Sequence, residues 1–378
     1  MIKNKLFLLL ILATLPSLNA FAKDSSDKDG EQYPNISGRS LFEFRGNRIS
    51  SADKNIIGNN TNMNIDTYFS ANFSKNWSLV TDWRFEPMNQ SQNNPERYRE
   101  MLSSKKGIGI GQNALVVDQL KGQFENEDAR FVVGKFNPAF GSAFRKEKRI
   151  GIFTTNFTRD YELRGKLGIG ITAILENSEL AVNAFCNDST GLSNSAIKKK
   201  GVTKKSDALA GNTSTPSSYA ITMQGQDLGG IDDLFYNFGY RNLAVGNVVG
   251  RDSETGFVAG LEYLIPIGLK SSLIPFFEVV KIDNLSGIAG RNSIYMTVSL
   301  VAKYSSWTAS ISNVTRSIAQ KDISTAANLG QVSDRQLEYS IGYQFNKNIA
   351  LDLTSASIKE DNRRASVFGV LLSYAYNF

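Results

Sequence analysis

The sequence predicts an all-β fold: a transmembrane, antiparallel, up-and-down β-barrel of about sixteen strands, eighteen being the other count its segments allow. Three observations predict it. Apolar and polar residues alternate along most of the chain, the alternating segments are long, and the connections between them are alternately short and long.

The stretch 64–85 shows the alternation. Ile65, Thr67, Phe69, Ala71 and Phe73 alternate with Asp66, Tyr68, Ser70 and Asn72; after Ser74, Lys75 and Asn76 the rhythm resumes with Trp77, Leu79, Thr81, Trp83 and Phe85 against Ser78, Val80, Asp82 and Arg84. A period of two is two strands joined by a short turn, each with one apolar face.

Read the same way, strands fall near 36–46, 62–74, 76–86, 113–125, 129–136, 161–175, 179–187 and 217–226. The series continues near 232–243, 254–264, 271–282, 291–304, 306–316, 334–345, 348–360 and 365–378. In 161–175 the apolar phase is Leu163, Gly165, Leu167, Ile169, Ile171, Ala173 and Leu175, with Arg164 and Lys166 opening the other. Segments 113–125, 129–136 and 271–282 carry apolar residues on both phases, so pattern alone does not orient them.

Short connections include 74–76, 125–128, 176–178, 266–268, 305–306 and 346–348; long polar ones include 47–61, 87–112, 137–160, 188–216, 244–253, 283–290 and 317–333. An up-and-down barrel sorts its loops this way, and a Greek-key sandwich does not. Most segments reach the roughly 9–11 residues that a tilted membrane-crossing strand needs, against about 5–6 in globular domains. Aromatic residues gather at segment ends, among them Trp77, Tyr263, Tyr304, Trp307, Tyr343, Phe345, Tyr374 and Tyr376; such rings favour the boundary between hydrocarbon and water.

About sixteen strands enclose a lumen too wide for side chains to fill, because eight already give an interior they just occupy. The apolar faces are therefore expected to meet hydrocarbon and the charged faces water. Closure removes the edges that hydrocarbon would not tolerate. With 41% hydrophobic residues, overall hydropathy cannot separate this arrangement from a soluble protein, since only alternate residues face lipid.

At the N-terminus, Lys3 and Lys5 precede the apolar run Leu6–Leu12, and Ala20-Phe21-Ala22 offers small residues two apart. This is the layout of a signal peptide over 1–22, followed by a periplasmic tail 23–35 and the barrel 36–378. Removing Lys3 and Lys5 lowers the formal net charge from +6 to +4. Histidine is absent and Cys186 is the single cysteine. That closes Ser–His, Cys–His and His-ligated metal chemistry, as well as any disulfide within one chain. No enzyme activity, cofactor or metal is expected, and Cys186, in phase with Leu180, Val182 and Ala184, reads as a small hydrophobe.

The chain ends SVFGVLLSYAYNF, with Phe368, Val370, Leu372, Tyr374, Tyr376 and Phe378 on one face. This resembles the C-terminal signature of bacterial outer-membrane barrels, which implies recognition by the barrel-assembly machinery through Phe378. The whole pattern resembles a general porin, a resemblance that implies a water-filled channel and a homotrimer. ARFVVGKFNPAFG, residues 129–141, resembles a strand-then-loop segment of the phosphate-selective porin O/P group. Val133, Gly134, Phe136, Pro138, Phe140 and Gly141 match, whereas Lys135 replaces a Gln and Ala139 intervenes before Phe140.

The loop after that motif carries Arg145, Lys146, Lys148 and Arg149 with one acid, Glu147. Folded inward, these cations would form a constriction that concentrates anions; on the exterior they would be a solvated loop near lipopolysaccharide phosphates. Asp82, Arg84, Arg164, Lys166, Arg241, Glu262, Lys303 and Asp352 fall on the polar phases and are expected to line the pore. The basic run 198–205 lacks an aromatic platform, so nucleic acid is not expected. GIGIG at 107–111 and GIGIT at 168–172 open no helix and are not phosphate loops; Gly168 and Gly170 are expected to face the lumen and leave room for the inward loop.

The expected function is passive diffusion of small hydrophilic solutes across an outer membrane with weak anion preference, the expected partners being the lipid bilayer and lipopolysaccharide. The alternative is a barrel acting mainly as a surface adhesin or receptor scaffold, which the long connections 87–112 and 188–216 would serve. A hydrolase barrel of the His-dependent kind has no His to use. A fatty-acid channel would need a plug larger than the tail 23–35.

Overall fold

The computed structural model describes residues 32–51, 58–87, 113–197, 201–203, 209–246, 249–321 and 328–378. The expected signal peptide, the first part of the tail, the connection 88–112 with its GIGIG, and most of 198–205 lie outside the described residues.

Among the described residues one sheet forms the wall of the molecule. Its strands are β1 Asn35–Ser51, β2 Gly58–Asn72, β3 Trp77–Pro87, β4 Asn113–Glu125, β5 Ala129–Phe136 and β6 Lys166–Leu175. They continue with β7 Ser178–Asn187, β8 Ser218–Gly225, β9 Leu234–Leu243, β10 Glu254–Tyr263, β11 Ile265–Gly268 and β12 Ser271–Asp283. The last are β13 Arg291–Tyr304, β14 Trp307–Lys321, β15 Asn328–Gln344, β16 Ile349–Glu360 and β17 Arg363–Asn377. Both β10 and β11 pair with β12 and make one stave interrupted at Leu264. The result is a closed sixteen-stave antiparallel barrel, each stave pairing with its neighbours in sequence and β1 closing on β17 from Arg39↔Asn377 to Ser51↔Ala365.

Alternation fixes the two faces. On β13, Ile294, Val298, Leu300 and Tyr304 are exposed on the outside while Ser293, Tyr295, Thr297, Ser299 and Val301 are buried inside. On β10, Phe257, Leu261 and Tyr263 face out, and Glu254, Val258 and Glu262 face in.

Strands extend beyond their expected ends at the rim that carries the long connections. The expected loop 317–333 shrinks to 322–327 and 47–61 to 52–57, because above the apolar band both faces are polar and alternation no longer marks a strand that continues. The opposite correction applies to 161–175. Gly165 adopts φ +60°, the strand starts at Lys166, and Leu163 is 2% exposed inside the barrel. Residues 161–165 thus belong to the loop.

The segments that pattern could not orient have specific causes. In β4 the register against β3 shifts between Asp82↔Gln119 and Trp83↔Val117, leaving Asp118 as a bulge. A bulge reverses the phase, so Leu115 and Val117 face out before it and Leu120 and Phe124 after it. In β12 the inward Ile274, Phe276, Val280 and Ile282 are all buried. They face not water but a segment of chain inside the barrel.

Candidate functional site: the loop inside the barrel

That segment is 137–165, which leaves the wall after β5 and returns at β6. Pro138, Gly141 at φ +78°, Gly151 at φ +132° and Gly165 allow turns that other residues resist. Between them run short helical turns, Ala143–Arg145, Glu147–Ile150, Thr155–Thr158 and Arg159–Tyr161. Phe140, Phe144, Ile152, Phe153, Phe157, Tyr161 and Leu163 form a buried cluster with the inward Val258, Val280, Ile282, Tyr295, Val314, Ile358, Val367 and Leu371. Ala143 and Ile150 make a second with Ile274, Phe276 and Val301. The expectation that every inward face meets water is therefore corrected. Half of the wall packs against the loop, because the loop brings its own apolar side chains into a space the strands alone could not fill.

Two inward glutamates seat the loop. Glu278 on β12 accepts the backbone N–H groups of Ser142 at 2.6 Å and Ala143 at 3.1 Å, the Ser142 hydroxyl at 2.9 Å and the Tyr161 hydroxyl at 2.7 Å. Glu338 on β15 accepts the Phe153 N–H at 3.0 Å. A Cβ on Gly151 would lie 2.4 Å from the Glu338 carboxyl carbon, so glycine is required there by both φ and space. The Ile150 carbonyl accepts from Ser312 on β14.

Ion pairs complete the attachment. Lys146 and Arg149 share Glu262, the former at 2.6 Å, and Lys148 reaches Glu43 on β1 at 2.8 Å. Glu147 lies 3.5 Å from Arg45 and 3.7 Å from Arg159. Burial pushes the Glu147 carboxyl up, but Arg159, Arg45 and Lys148 outweigh it and hold it below the ordinary carboxylate range. Arg316 bonds Asp160 at 3.0 Å and Asp334 at 2.5 Å with its guanidinium over Phe157, and Arg241 bonds the Tyr161 carbonyl at 2.6 Å and Glu254 at 2.5 Å. On the far side Arg164 holds Glu86 at 2.7 Å and the bulge residue Asp118, which also lies 3.4 Å from Arg84.

The structure brings Arg145, Lys146, Lys148, Arg149 and Arg164 into the barrel on this loop, while Asp82, Arg84, Arg241, Glu262, Lys303 and Asp352 take inward positions on the strands. Lys166 reaches Asn187 at 2.5 Å. Lys146, Lys148 and Arg149 each form an ion pair with a carboxylate; Arg145 forms none among the described residues and stands over the Phe144 ring within electrostatic reach of Glu162, Glu278 and Arg84. Lys303 is exposed near the short-turn rim, apart from the loop. Inside, spaces of about 200 Å³ and about 520 Å³ flank the loop, the first bordered by Asp118, Arg164, Lys166 and Arg241, the second by Lys146, Asn237 and Glu262.

Lys135, which stands where the resembled motif has Gln, is buried and paired with Asp188 at 2.9 Å and the Leu192 carbonyl at 2.8 Å. Segment 188–196 lies along the stretch of β4 that β5 does not reach, Val116 bridging Ser195. Gly168 and Gly170 sit under Phe185 and Asn183 of the next strand, so that strand's side chains, not the loop, use the room. Sequence reasoning missed Glu43, Asp118, Glu278, Arg316 and Glu338. The signal for Glu278 was present: a lone acid in the otherwise apolar LIPFFEVV.

No protein-family model matches the sequence, and no curated protein matches it significantly. Solved structures do share its shape. OmpF of Salmonella typhi, in complex with daunomycin, matches with TM-score 0.60 at 11% identity over 93% of this chain and 99% of that one. A loop L8 deletion mutant of OmpT, an outer membrane protein of Vibrio cholerae, matches with TM-score 0.53 at 9% identity over 90% and 99%. The outer membrane channel DcaP of Acinetobacter baumannii matches with TM-score 0.53 at 11% identity over 90% and 96%. At such identities the likeness is one of fold.

Proposed function

We propose that the chain is an outer-membrane porin through which small hydrophilic solutes diffuse passively, with a weak preference for anions. The observation that carries this reading is a closed barrel with an apolar exterior and an interior of charged groups flanking an inward loop. Hydrocarbon tolerates only closed sheets, and a barrel of about sixteen staves leaves an aqueous path. The fold shared with OmpF and DcaP supports it.

No residue performs chemistry in this reading; passage is governed by the loop's position and the field it creates. The anion preference rests on Arg145, the loop cation without a matched carboxylate among the described residues. Because Lys146, Lys148 and Arg149 are neutralised by Glu262 and Glu43, the preference is weak. A cleaved signal peptide, assembly through Phe378 and a homotrimer belong to the same proposal.

Planar-bilayer recording tests it. Stepwise conductance with a reversal potential on the anion side in a salt gradient is expected. Absence of current steps would leave the adhesin or receptor scaffold, and firm cation selectivity would overturn the anion preference.

A further inference from the structure

Three staves stop short on one side of the barrel. At the long-connection rim β4 runs on to Asn113, but β5 ends at Phe136, opposite Lys166 where β6 begins, and β7 ends at Asn187, opposite the same lysine. The pairing of β4 with β5 starts at Leu120↔Lys135, so β4 from Asn113 to Gln119 has no partner in β5. Segment 188–196 lies there instead, bridged through Val116↔Ser195.

That segment is held more lightly than the strands around it. On its other edge β4 pairs with β3 all the way from Trp77↔Phe124 to Pro87↔Asn113. Segment 188–196 meets β4 through the single bridge and the Ala196 N–H, which donates to the Leu115 carbonyl at 2.9 Å. None of the described residues 188–196 enters either apolar cluster of the interior, and Leu192 is exposed. Its own bonds make it a unit. The Asp188 carboxylate accepts the Thr190 N–H at 2.8 Å and hydroxyl at 2.6 Å, the Thr190 hydroxyl accepts the Leu192 N–H at 3.2 Å, and the Thr190 carbonyl accepts the Ser193 hydroxyl at 2.7 Å.

Lys135 ties this unit to the wall, 2.9 Å from the Asp188 carboxylate and donating to the Leu192 carbonyl at 2.8 Å. Asp188 directly follows β7 and so stays in place when the residues after it move. The ion pair survives such a movement, which therefore leaves no buried charge without its partner. Behind the segment lies the space of about 200 Å³ on the flank of the inward loop, bordered by Val116, Asp188 and Ser193 on one side and by Arg159, Glu162 and Arg164 on the other. An element with little buried apolar surface and few bonds to its frame opens at low free-energy cost.

We propose that segment 188–196 is a lid, hinged at Asn187 and Asp188, that swings away from β4 and widens the passage beside the loop. Its effect on current rests on the channel reading; its movement does not.

The test is a reversible lock. Residues facing each other across an antiparallel bridge have Cα atoms about 4.5–5.5 Å apart, within disulfide range. Val116→Cys and Ser195→Cys are therefore combined in the full-length barrel carrying Cys186→Ala, and the pair is oxidised in detergent. Hydrogen exchange read by mass spectrometry is expected to slow at least about tenfold in residues 189–196 on oxidation and to recover with reductant, with β13 unchanged. Equal exchange in the two forms overturns the proposal. In planar bilayers the reduced form is expected to visit a larger current level that the oxidised form lacks; identical levels overturn the widening of the passage. If the cross-link does not form, Lys135→Gln combined with Asp188→Asn decides, because it frees the Leu192 carbonyl and leaves no lone charge. Faster exchange in 189–196 than in wild type then supports the lid, and unchanged exchange overturns it. The two readings fail separately: slowed exchange without any current refutes the channel alone, and current with equal exchange refutes the lid alone.

Discussion

The backbone N–H of Ser142 donates to the Glu278 carboxylate at 2.6 Å, joining the inward loop to a strand that follows it by more than a hundred residues. The same carboxylate satisfies the Ala143 N–H and the Tyr161 hydroxyl. Each buried donor left unsatisfied costs about 1–3 kcal/mol. Glu278→Ala is therefore expected to destabilise the protein by at least about 2 kcal/mol and Glu278→Gln by less, measured by denaturant unfolding in detergent. An alanine variant as stable as wild type contradicts this role.

Gly151→Ala is expected to unseat the loop. The φ of +132° and the approach to Glu338 make a Cβ doubly unfavourable, and a strained φ alone costs about 1–3 kcal/mol. Single-channel records should show more open-state noise and altered conductance, with the barrel itself still assembled. Quiet currents of unchanged size would place the loop's anchorage elsewhere.

Arg145→Glu should move the reversal potential toward cations. The shift should be largest in dilute salt and shrink in concentrated salt, as the Debye length falls from about 30 Å at 0.01 M to about 3 Å at 1 M. Lys146→Gln, by contrast, removes a cation already matched by Glu262 and should change selectivity less. Equal shifts for the two variants would remove Arg145 from its proposed place.

The lowered carboxyl of Glu147 sets a pH window. Its contribution to loop seating is complete above the ordinary Glu value of about 4.3 and is lost as pH falls through the lower value it has in the folded protein. The difference in current noise between wild type and Glu147→Gln should hold from neutral pH to about pH 4.5 and fade below it. A difference that fades near neutral pH contradicts the assignment.

How far the sequence could be read depended on what each face touches. Strands such as β10 and β13 announce themselves because their outward side chains are apolar apart from Thr255 and Asn292 near one end, and their inward ones are mostly polar or glycine. The bulge at Asp118 erased that rhythm in β4, and the inward Ile274, Phe276 and Val280 erased it in β12. The four loop cations were visible as a cluster in sequence and Glu262 as an inward acid, yet the pairing of Lys146 and Arg149 with Glu262 and of Lys148 with Glu43 was not, since nothing local links the loop to staves several places away around the barrel. Phe153, Phe157 and Tyr161 stand four apart, as do Phe140 and Phe144, but each helical turn here is only three or four residues long. A core built from such short turns repeats its spacing over too few residues to announce a helix.

The Phe378 N–H donates to the Gly38 carbonyl at 3.0 Å, the Gly38 N–H to the Phe378 carbonyl at 2.8 Å, and a Cβ at Gly38 would collide with the Phe378 ring. The clasp of this ring is thus made from β1 and β17, the two strands of the barrel that stand farthest apart along the chain. Until they meet, both free borders stay open to any other extended peptide. A form lacking β17 would be an incomplete hoop prone to zipping onto its neighbours, so a chaperone that shields those borders until the ring closes would serve it well.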